Sequence, residues 1–232
     1  MSGRIIPSDT KRGVRQRDTK SPQLFNACLQ IVFERLNWQR KGIDEKLLSN
    51  FRFANDIVLI SRSYNQLRTM LKDLVRDGNK VESKTNVAKT KVMTNRNIGR
   101  SFTVNQKTAE KVDEFIYLGQ LITINKDTET EVRRRIKIGW KSFFNSKEFF
   151  TDRKVGMILR RRLFNPCVLP AMLYGSETWT VTKKIEMMMQ VAQRRMERMM
   201  ARVTLRDRKT NEWLRGVTKV KDFVKCARKT KI

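Results

Sequence analysis

The sequence contains no histidine and only three cysteines, Cys28, Cys167 and Cys226, which lie far apart. Without histidine there is no imidazole for general acid–base catalysis and no Cys–His nucleophile, and no cysteine pair has the spacing of a zinc site. We expect the three cysteines to be free, buried thiols in a reducing compartment. Zinc fingers and histidine-dependent enzymes are thereby excluded.

Long apolar runs are also missing. No stretch reaches the roughly 18 apolar residues of a membrane span, and the first residues, MSGRIIPSDTKRG, are too polar for a signal peptide. We therefore expect neither secretion nor a membrane partner. The 232 residues are 39% hydrophobic and 32% charged, which is enough to form one large domain or two small ones with a sizeable core.

Negative charge is scarce relative to positive charge. Lys and Arg number 51 against 23 Asp and Glu, a net charge of +28. Such a density opposes compaction unless a polyanion neutralises it, and nucleic acid is the usual polyanion. The alternative is a solvated basic surface without a dedicated ligand, so charge alone names no function.

The spacing of apolar residues predicts a mixed first part and a helical second part. A helix begins at Ser21–Pro22, where a capping residue precedes a proline. After Lys126 the chain is predicted to be helical and basic. The remaining predicted elements are two strands within 42–62, a helix at 65–76 ended by Gly78, strands at 91–94, 101–104 and 115–123, and helices near 132–144, 157–164, 167–174 and 185–203.

A carboxylate stands in an unusual place in "SNFRFANDIVLIS", residues 49–61. Asp56 follows Asn55 at a predicted turn between two apolar strands. A hairpin can hold a carboxylate rigidly for Mg²⁺, and two-metal nucleotidyl transfer needs such oxygen ligands. By itself the pattern is weak, because Asn and Asp are common at turns.

Four further segments accompany this hairpin in order: "GVRQRDTKSPQLFNACL" at 13–29, "NVAKTKVM" at 86–93, "FIYLGQLIT" at 115–123 and "LPAMLYGSETWTVTKK" at 169–184. Together they resemble the reverse transcriptase (RNA-directed DNA polymerase) of non-long-terminal-repeat, LINE-type retrotransposons, from Gly13 to Val217. The resemblance implies an α+β fold. A partial right-hand polymerase palm, an antiparallel sheet with packed helices, would occupy residues 1–126, and an all-α basic thumb with a C-terminal region would occupy 127–232.

The resemblance also implies roles for particular residues. Asn55 and Asp56 match the catalytic hairpin, with Asp56 as the metal ligand, and Lys89 matches a lysine that protonates the leaving pyrophosphate. The nucleotide and template contacts would be Arg15, Gln16, Asp18, Phe53 and Ala54, and the primer grip would be Tyr117, Leu118 and Gly119.

An RNA template paired with a DNA primer is the implied partner. Mg²⁺ or Mn²⁺ is the implied cofactor if any activity remains. By the same resemblance the protein would be made in the cytoplasm and act at nuclear DNA. Phosphate contacts are expected from Arg133, Arg134, Arg135, Lys137, Lys141, Arg194, Arg195 and Arg198. The tryptophans, Trp140 among them, are expected to be packing residues rather than base-stacking platforms.

Three departures from the family pattern stand out. The family has aspartate where this chain has Asn55, and an amide brings no charge to a metal site. It has glycine where this chain has Arg17, in the turn before Asp18. Its upstream catalytic aspartate has no counterpart in residues 1–12, so we expect the fingers and the first catalytic strand to be missing.

These departures leave three readings open. The first is a truncated reverse transcriptase that binds template-primer but is polymerase-inactive. The second is an enzyme that works only with a complementing chain supplying the missing aspartate. The third is a non-enzymatic basic nucleic-acid-binding relic, which would show no preference for a hybrid duplex.

Overall fold

The computed structural model describes residues 19–36, 38, 48–81, 83–95, 102–104, 107–125 and 127–230. The chain divides into two compact units, Met1–Val112 and Asp113–Ile232. The sequence placed the boundary between 126 and 127, so the division falls one hairpin earlier than expected. The predicted loop contacts Arg15, Gln16 and Asp18 lie outside the described residues.

The first unit combines helices and short strands, in agreement with the predicted α+β class. Pro22 occupies the first turn of the first helix as predicted, but Lys20 rather than Ser21 is its N-cap residue. The second helix continues past Gly78, which was expected to end it. The elements are α1 (Ser21–Arg35), β1 (Asn50–Phe53), β2 (Asp56–Leu59), α2 (Tyr64–Lys80), β3 (Lys91–Val92), β4 (Phe102–Val104) and β5 (Lys107–Lys111).

The strands of the first unit form two small sheets. β1 and β2 make an antiparallel hairpin, and β5 lies between β3 and β4. The β4–β5 pairing is antiparallel, but β3 pairs with β5 in parallel, with Lys91 opposite Glu110. The resemblance implied an antiparallel sheet, whereas the described strands of this unit form two small sheets, one of which includes a parallel pair.

Two apolar clusters hold this unit together. One packs α1 against α2 through Val32, Met70 and Leu74, with Ile57 and Leu59 of β2 on its border. The other joins the far side of α2 to the second sheet. The amphipathic pattern of α2 thus serves two cores, because apolar residues recur on two sides of the helix.

The second unit begins with an antiparallel hairpin and continues as a helical bundle. Three short helices, at Lys147–Thr151, Asn211–Thr218 and Phe223–Lys229, were not predicted, because they are too short to show a clear helical period. None of the described helices is long and apolar enough to cross a membrane. The elements are β6 (Glu114–Tyr117), β7 (Gln120–Thr123), α3 (Thr128–Asn145), α4 (Lys147–Thr151), α5 (Met157–Cys167), α6 (Leu169–Leu173), α7 (Lys183–Ala201), α8 (Asn211–Thr218) and α9 (Phe223–Lys229), with a 3₁₀ turn at Ser176–Thr178.

Aromatic and methionine side chains fill the core of the second unit. Phe143 and Phe150 are fully buried and stack with ring centroids 4.6 Å apart. Met189, Met196 and Met200 of α7 are fully buried as well. The Met-rich segment 187–200 therefore does supply a core face, where flexible thioethers fit irregular gaps.

The cysteines only partly match expectation. Cys28, Cys167 and Cys226 are free, as predicted. However, Cys28 and Cys167 are exposed and Cys226 is half-buried. The prediction of buried thiols was wrong, because the first two lie on the solvent sides of their helices.

Candidate functional site

The Asn55–Asp56 pair lies at the tip of the β1–β2 hairpin. Phe53 pairs directly with Asp56, so Ala54 and Asn55 form a two-residue turn. Ala54 has φ of +48°, a left-handed conformation that is uncommon outside glycine. Asp56 is exposed and is the first residue of β2 rather than part of the turn. The hairpin therefore presents its one carboxylate to solvent at the end of a strand.

Contacts with α1 hold the hairpin on the first unit. The Arg52 guanidinium lies 4.3 Å from the ring centroid of Phe33 and donates a 3.2 Å hydrogen bond to Gln30 Oε1. Phe53, on the opposite side, is 61% exposed. One face of the hairpin is therefore packed, while the other presents aromatic surface beside Asp56.

The hairpin does not by itself fit a two-metal centre. Asp56 is its one acidic side chain, and the neighbouring Asn55 amide carries no charge. Among the described residues, no group of three or more metal-ligating side chains comes together. Lys89, the proposed proton donor, is exposed just before β3. No catalytic step through a metal is derived from these residues.

The predicted primer grip forms the turn of the second hairpin. Tyr117 pairs with Gln120, and the turn residues Leu118 and Gly119 have φ of +48° and +79°. Two left-handed residues are typical of a type I′ turn, in which leucine is unusual. Tyr174 Oη donates a 2.6 Å hydrogen bond to the Leu118 carbonyl, which helps to hold this turn.

Two arginines of α3 hold the other carbonyl of the turn. Arg134 Nη2 donates to Gly119 O at 2.6 Å, and Arg135 Nη2 donates to the same oxygen. The Arg135 guanidinium also lies 4.5 Å from the ring centroid of Tyr174. The predicted grip residues are thus tied to the helical unit by a specific set of donors.

Glu131 lies at the centre of this arrangement. It is 3% exposed and accepts 2.7 Å hydrogen bonds from both Arg134 Nε and Arg135 Nε, and one of 3.2 Å from Leu121 N. Burial raises the pKa of Glu131, but the hydrogen bonds and positive charges of Arg134 and Arg135 together outweigh burial and hold the pKa below its usual value. Glu131 is therefore ionised at neutral pH and anchors both arginines.

Sequence reasoning missed Glu131 and Tyr174 as site residues. Tyr174 lies within a segment that carried the family resemblance, which could have signalled it. Glu131 precedes Arg134 and Arg135 by three and four residues, the spacing at which side chains meet on a helix. That spacing could have identified the ion pairs, but not their contact with a turn.

The structure revises two of the predicted phosphate contacts. Arg135 and Arg194 are only 6% and 7% exposed. Arg194 is paired with Glu197 and Asp222 in the bundle, much as Arg135 is paired with Glu131. Buried cations that already have carboxylate partners do not present their charge to a backbone.

The other predicted contacts differ in how freely they present charge. Arg134 is partly exposed but is bound to Glu131. Arg198 is half-buried and donates to the Lys209 carbonyl at 3.2 Å. The exposed ones are Arg133, Lys137 and Lys141 along one side of α3, and Arg195 on α7.

A second buried carboxylate lies within the bundle. Glu197 is fully buried, accepts hydrogen bonds from Arg194 and from Thr218 Oγ1, and lies between α7 and α8. Burial raises the pKa of Glu197 even though Arg194 lowers it. Its role is structural, because it faces the core rather than a cleft.

A cavity of about 860 Å³ adjoins the second hairpin. Its walls include Leu118 and Gln120 of the hairpin, Tyr174 after α6, and Lys221. Gln120 Nε2 donates a hydrogen bond of 2.6 Å to Thr178 Oγ1 along the same side. The cavity belongs wholly to the second unit and lies beside the predicted grip residues.

Comparison with known proteins agrees, at the level of the family, with the resemblance found in the sequence. Residues 3–122 match the family described as reverse transcriptase (RNA-dependent DNA polymerase). A transposon-derived protein of Caenorhabditis elegans is 34% identical over 202 residues, which cover 82% of this chain and 71% of that protein. No solved structure matches the chain. The family match spans both the Asn55–Asp56 hairpin and the Leu118–Gly119 turn, and the chain belongs to the reverse transcriptase family.

Proposed function

We propose that this chain is a non-long-terminal-repeat, LINE-type reverse transcriptase relative that binds template-primer nucleic acid but does not polymerise by itself. In this proposal the palm lies in residues 1–126 and the basic helices after it act as the thumb. The natural partner is an RNA template paired with a DNA primer. The protein would be made in the cytosol and act at nuclear DNA.

The observation that carries the binding proposal is the exposed basic stripe of α3, defined as Arg133, Lys137 and Lys141. These residues follow one another at intervals of four, so their side chains lie on one side of the helix. Glu129 pairs with Arg133, whereas Lys137 and Lys141 have no ion pair among the described residues. Free cations in a row suit a phosphate backbone, with little preference for base sequence.

The proposal that the chain does not polymerise rests on Asn55. A divalent cation that activates a 3′-hydroxyl is held by hard, charged oxygens, and here Asp56 stands beside a neutral amide. Mg²⁺ or Mn²⁺ would be the cofactor of a restored enzyme, with Asp56 as one of its ligands. Lys89 and the aromatic side chain of Phe53 would lie on the substrate side of that centre.

Binding is tested by competition, at about 0.2 M salt, between an RNA–DNA hybrid and duplex DNA of equal length. We expect preference for the hybrid and a log–log salt slope of roughly −5, which corresponds to about six phosphates. Replacing Lys137 and Lys141 by Gln should make the slope less steep by about 1.8. The control replaces Lys225 and Lys229 by Gln, which removes two positive charges from α9 instead of from the α3 stripe.

Two results would contradict the binding proposal. A salt slope near zero on every nucleic acid would mean that the charge is not used for phosphate. Equal binding of hybrid and duplex DNA would mean that the protein binds polyanions without selectivity. That result would favour the third reading, a non-enzymatic basic nucleic-acid-binding relic.

Inactivity is tested by primer extension with Mg²⁺ or Mn²⁺. We expect no extension by the natural chain. Extension that disappears in Asp56→Ala would show a working enzyme and refute this part of the proposal. Extension that Asp56→Ala leaves unchanged would come from a contaminant. Asn55→Asp is the variant in which residual catalysis would first become measurable.

A further inference from the structure

A shallow groove lies between α3, α7 and the segment that follows α7. Its volume is about 430 Å³, and its walls include Trp140, Phe144, Arg195, Arg198 and Leu205. We propose that this groove, called here the aromatic groove, binds unpaired bases of single-stranded nucleic acid. The inference rests on the proposed nucleic-acid binding and adds a site that binds single strands rather than the backbone of a duplex.

The aromatic groove leaves large apolar side chains open to solvent. Phe144 is 49% exposed and Leu205 is 80% exposed. The neighbouring Phe143, by contrast, is fully buried in the bundle core. Adjacent phenylalanines on α3 thus have opposite environments, and core packing explains Phe143 but not Phe144.

The two rings of the groove stack on one another. Trp140 and Phe144 are one helical turn apart and stack with centroids 5.4 Å apart and planes inclined by 24°. The inner ring, Trp140, is half-buried and packs against the bundle core. A fixed inner ring supports the outer one, so a base could stack on Phe144 without ordering a flexible side chain.

Arg195 and Arg198 are the charged side chains among the described residues that line the groove, and the Asp207 carboxylate adjoins it by accepting hydrogen bonds from Thr204. Arg195 is exposed and makes no hydrogen bond or ion pair among the described residues. Lys147 Nζ lies 6.0 Å from the Phe144 ring centroid, and Lys141 precedes Phe144 on the same helix. No carboxylate is among the described residues that line the groove.

This combination selects one class of ligand. An apolar peptide would use the rings but not the free cations, and duplex nucleic acid would use the cations but keeps its bases stacked inside. A single strand satisfies both, because its bases stack on aromatic side chains while its phosphates contact arginine or lysine. The net charge of +28 favours the same polyanion.

The test compares binding of a labelled single-stranded oligouridylate of about 12 nucleotides with binding of an RNA–DNA hybrid of the same length, on the full chain. Phe144→Ala should weaken single-strand binding by roughly 5- to 150-fold, the loss expected for stacking one base, and leave hybrid binding unchanged. The control is Phe149→Ala, since Phe149 is 36% exposed but lies outside the groove.

A second variant tests the charge of the groove rather than its aromatic ring. Arg195→Gln removes the charge of an exposed side chain. It should make the single-strand salt slope less steep by about 0.7. Circular dichroism confirms that each variant keeps its helices.

Failure of this inference differs from failure of the proposed function. If the natural chain binds hybrid but Phe144→Ala weakens neither ligand, or both equally, the groove is not a base-stacking site while duplex binding stands. If the natural chain binds neither nucleic acid, both proposals fall. Loss of a protein or peptide ligand in Phe144→Ala, with single-strand binding intact, would assign the groove to a protein partner and also overturn the inference.

Discussion

Glu131→Gln is the substitution that best tests how the second hairpin is held. It removes a negative charge from a side chain that is 3% exposed and leaves its size almost unchanged. Arg135, itself buried, would lose its counter-ion and would be left with uncharged partners, among them the Gly119 carbonyl and the Tyr174 ring. The variant therefore leaves an unpaired cation inside the unit.

The size of the effect follows from the exposure of the three side chains. Removing one member of a buried ion pair costs about 3–5 kcal/mol, because the remaining charge stays desolvated. The Arg134 side chain is 23% exposed and can turn to water, whereas that of Arg135 is 7% exposed and cannot. The glutamine oxygen can still accept one hydrogen bond. We therefore expect a loss near the lower limit, about 3 kcal/mol in the free energy of unfolding.

Urea unfolding of the full chain measures the loss, and hydrogen exchange with mass spectrometry locates it. Amides of β6 and β7 should lose protection, because Leu121 N donates to Glu131 and the turn depends on the same arginines. Amides of β1 and β2, in the first unit, should keep theirs. The control is Glu129→Gln on the same helix, which weakens surface pairs with Arg133 and Lys184 and should change stability far less.

A loss below about 1 kcal/mol, comparable to a surface pair, would refute the argument. The double variant Glu131→Gln with Arg135→Met provides a second check. If the stranded charge is the cause, adding Arg135→Met should recover part of the loss. Additive losses would mean that packing, not charge, is responsible.

Two further predictions concern the helical unit. Gly139→Ala should destabilise it by about 1–3 kcal/mol in the same urea assay, because a new Cβ would lie 2.1 Å from Met172 Cγ. The control is Gly216→Ala, which has open space around it and should be neutral or stabilising. Burial raises the pKa of Glu197, so above its ordinary value of 4.5 the folded chain keeps a proton that the unfolded chain has released. The free energy of unfolding should therefore fall as pH rises through the raised pKa, and Glu197→Gln should abolish that contribution. An unchanged pH profile in this variant would contradict the sign.

Much of the local structure could be predicted from sequence periodicity. The helix that begins at Ser21–Pro22, the long helices α2, α3 and α7, and the methionine core face all follow from apolar spacing. The Asn55–Asp56 hairpin was predicted as well, although its turn lies one residue earlier. These features depend on neighbours in the chain, so a single sequence contains the information needed to find them.

The short elements and the burial of the charged pairs could not be predicted in this way. β5 and α9 have too few residues for a clear period, and their positions depend on the surfaces they cover. Arg135 and Arg194 look like any other basic residues in the sequence. Helical spacing brings Arg135 to Glu131 and Arg194 to Glu197, but only packing buries these pairs and removes their charges from the surface available to phosphate.

The sequence by itself determined the family, the excess of positive charge and the amide beside Asp56, because each is a property of residue types in order. Tertiary structure alone decided which of those charges are free. It placed the Leu118–Gly119 turn with the helical unit, through donors from Arg134, Arg135 and Tyr174 that lie 15 to 56 residues away from the carbonyls they hold. It also left Phe144 open beside Arg195 while burying Phe143. Exposure depends on what the rest of the chain covers, and that is fixed only when the helices pack.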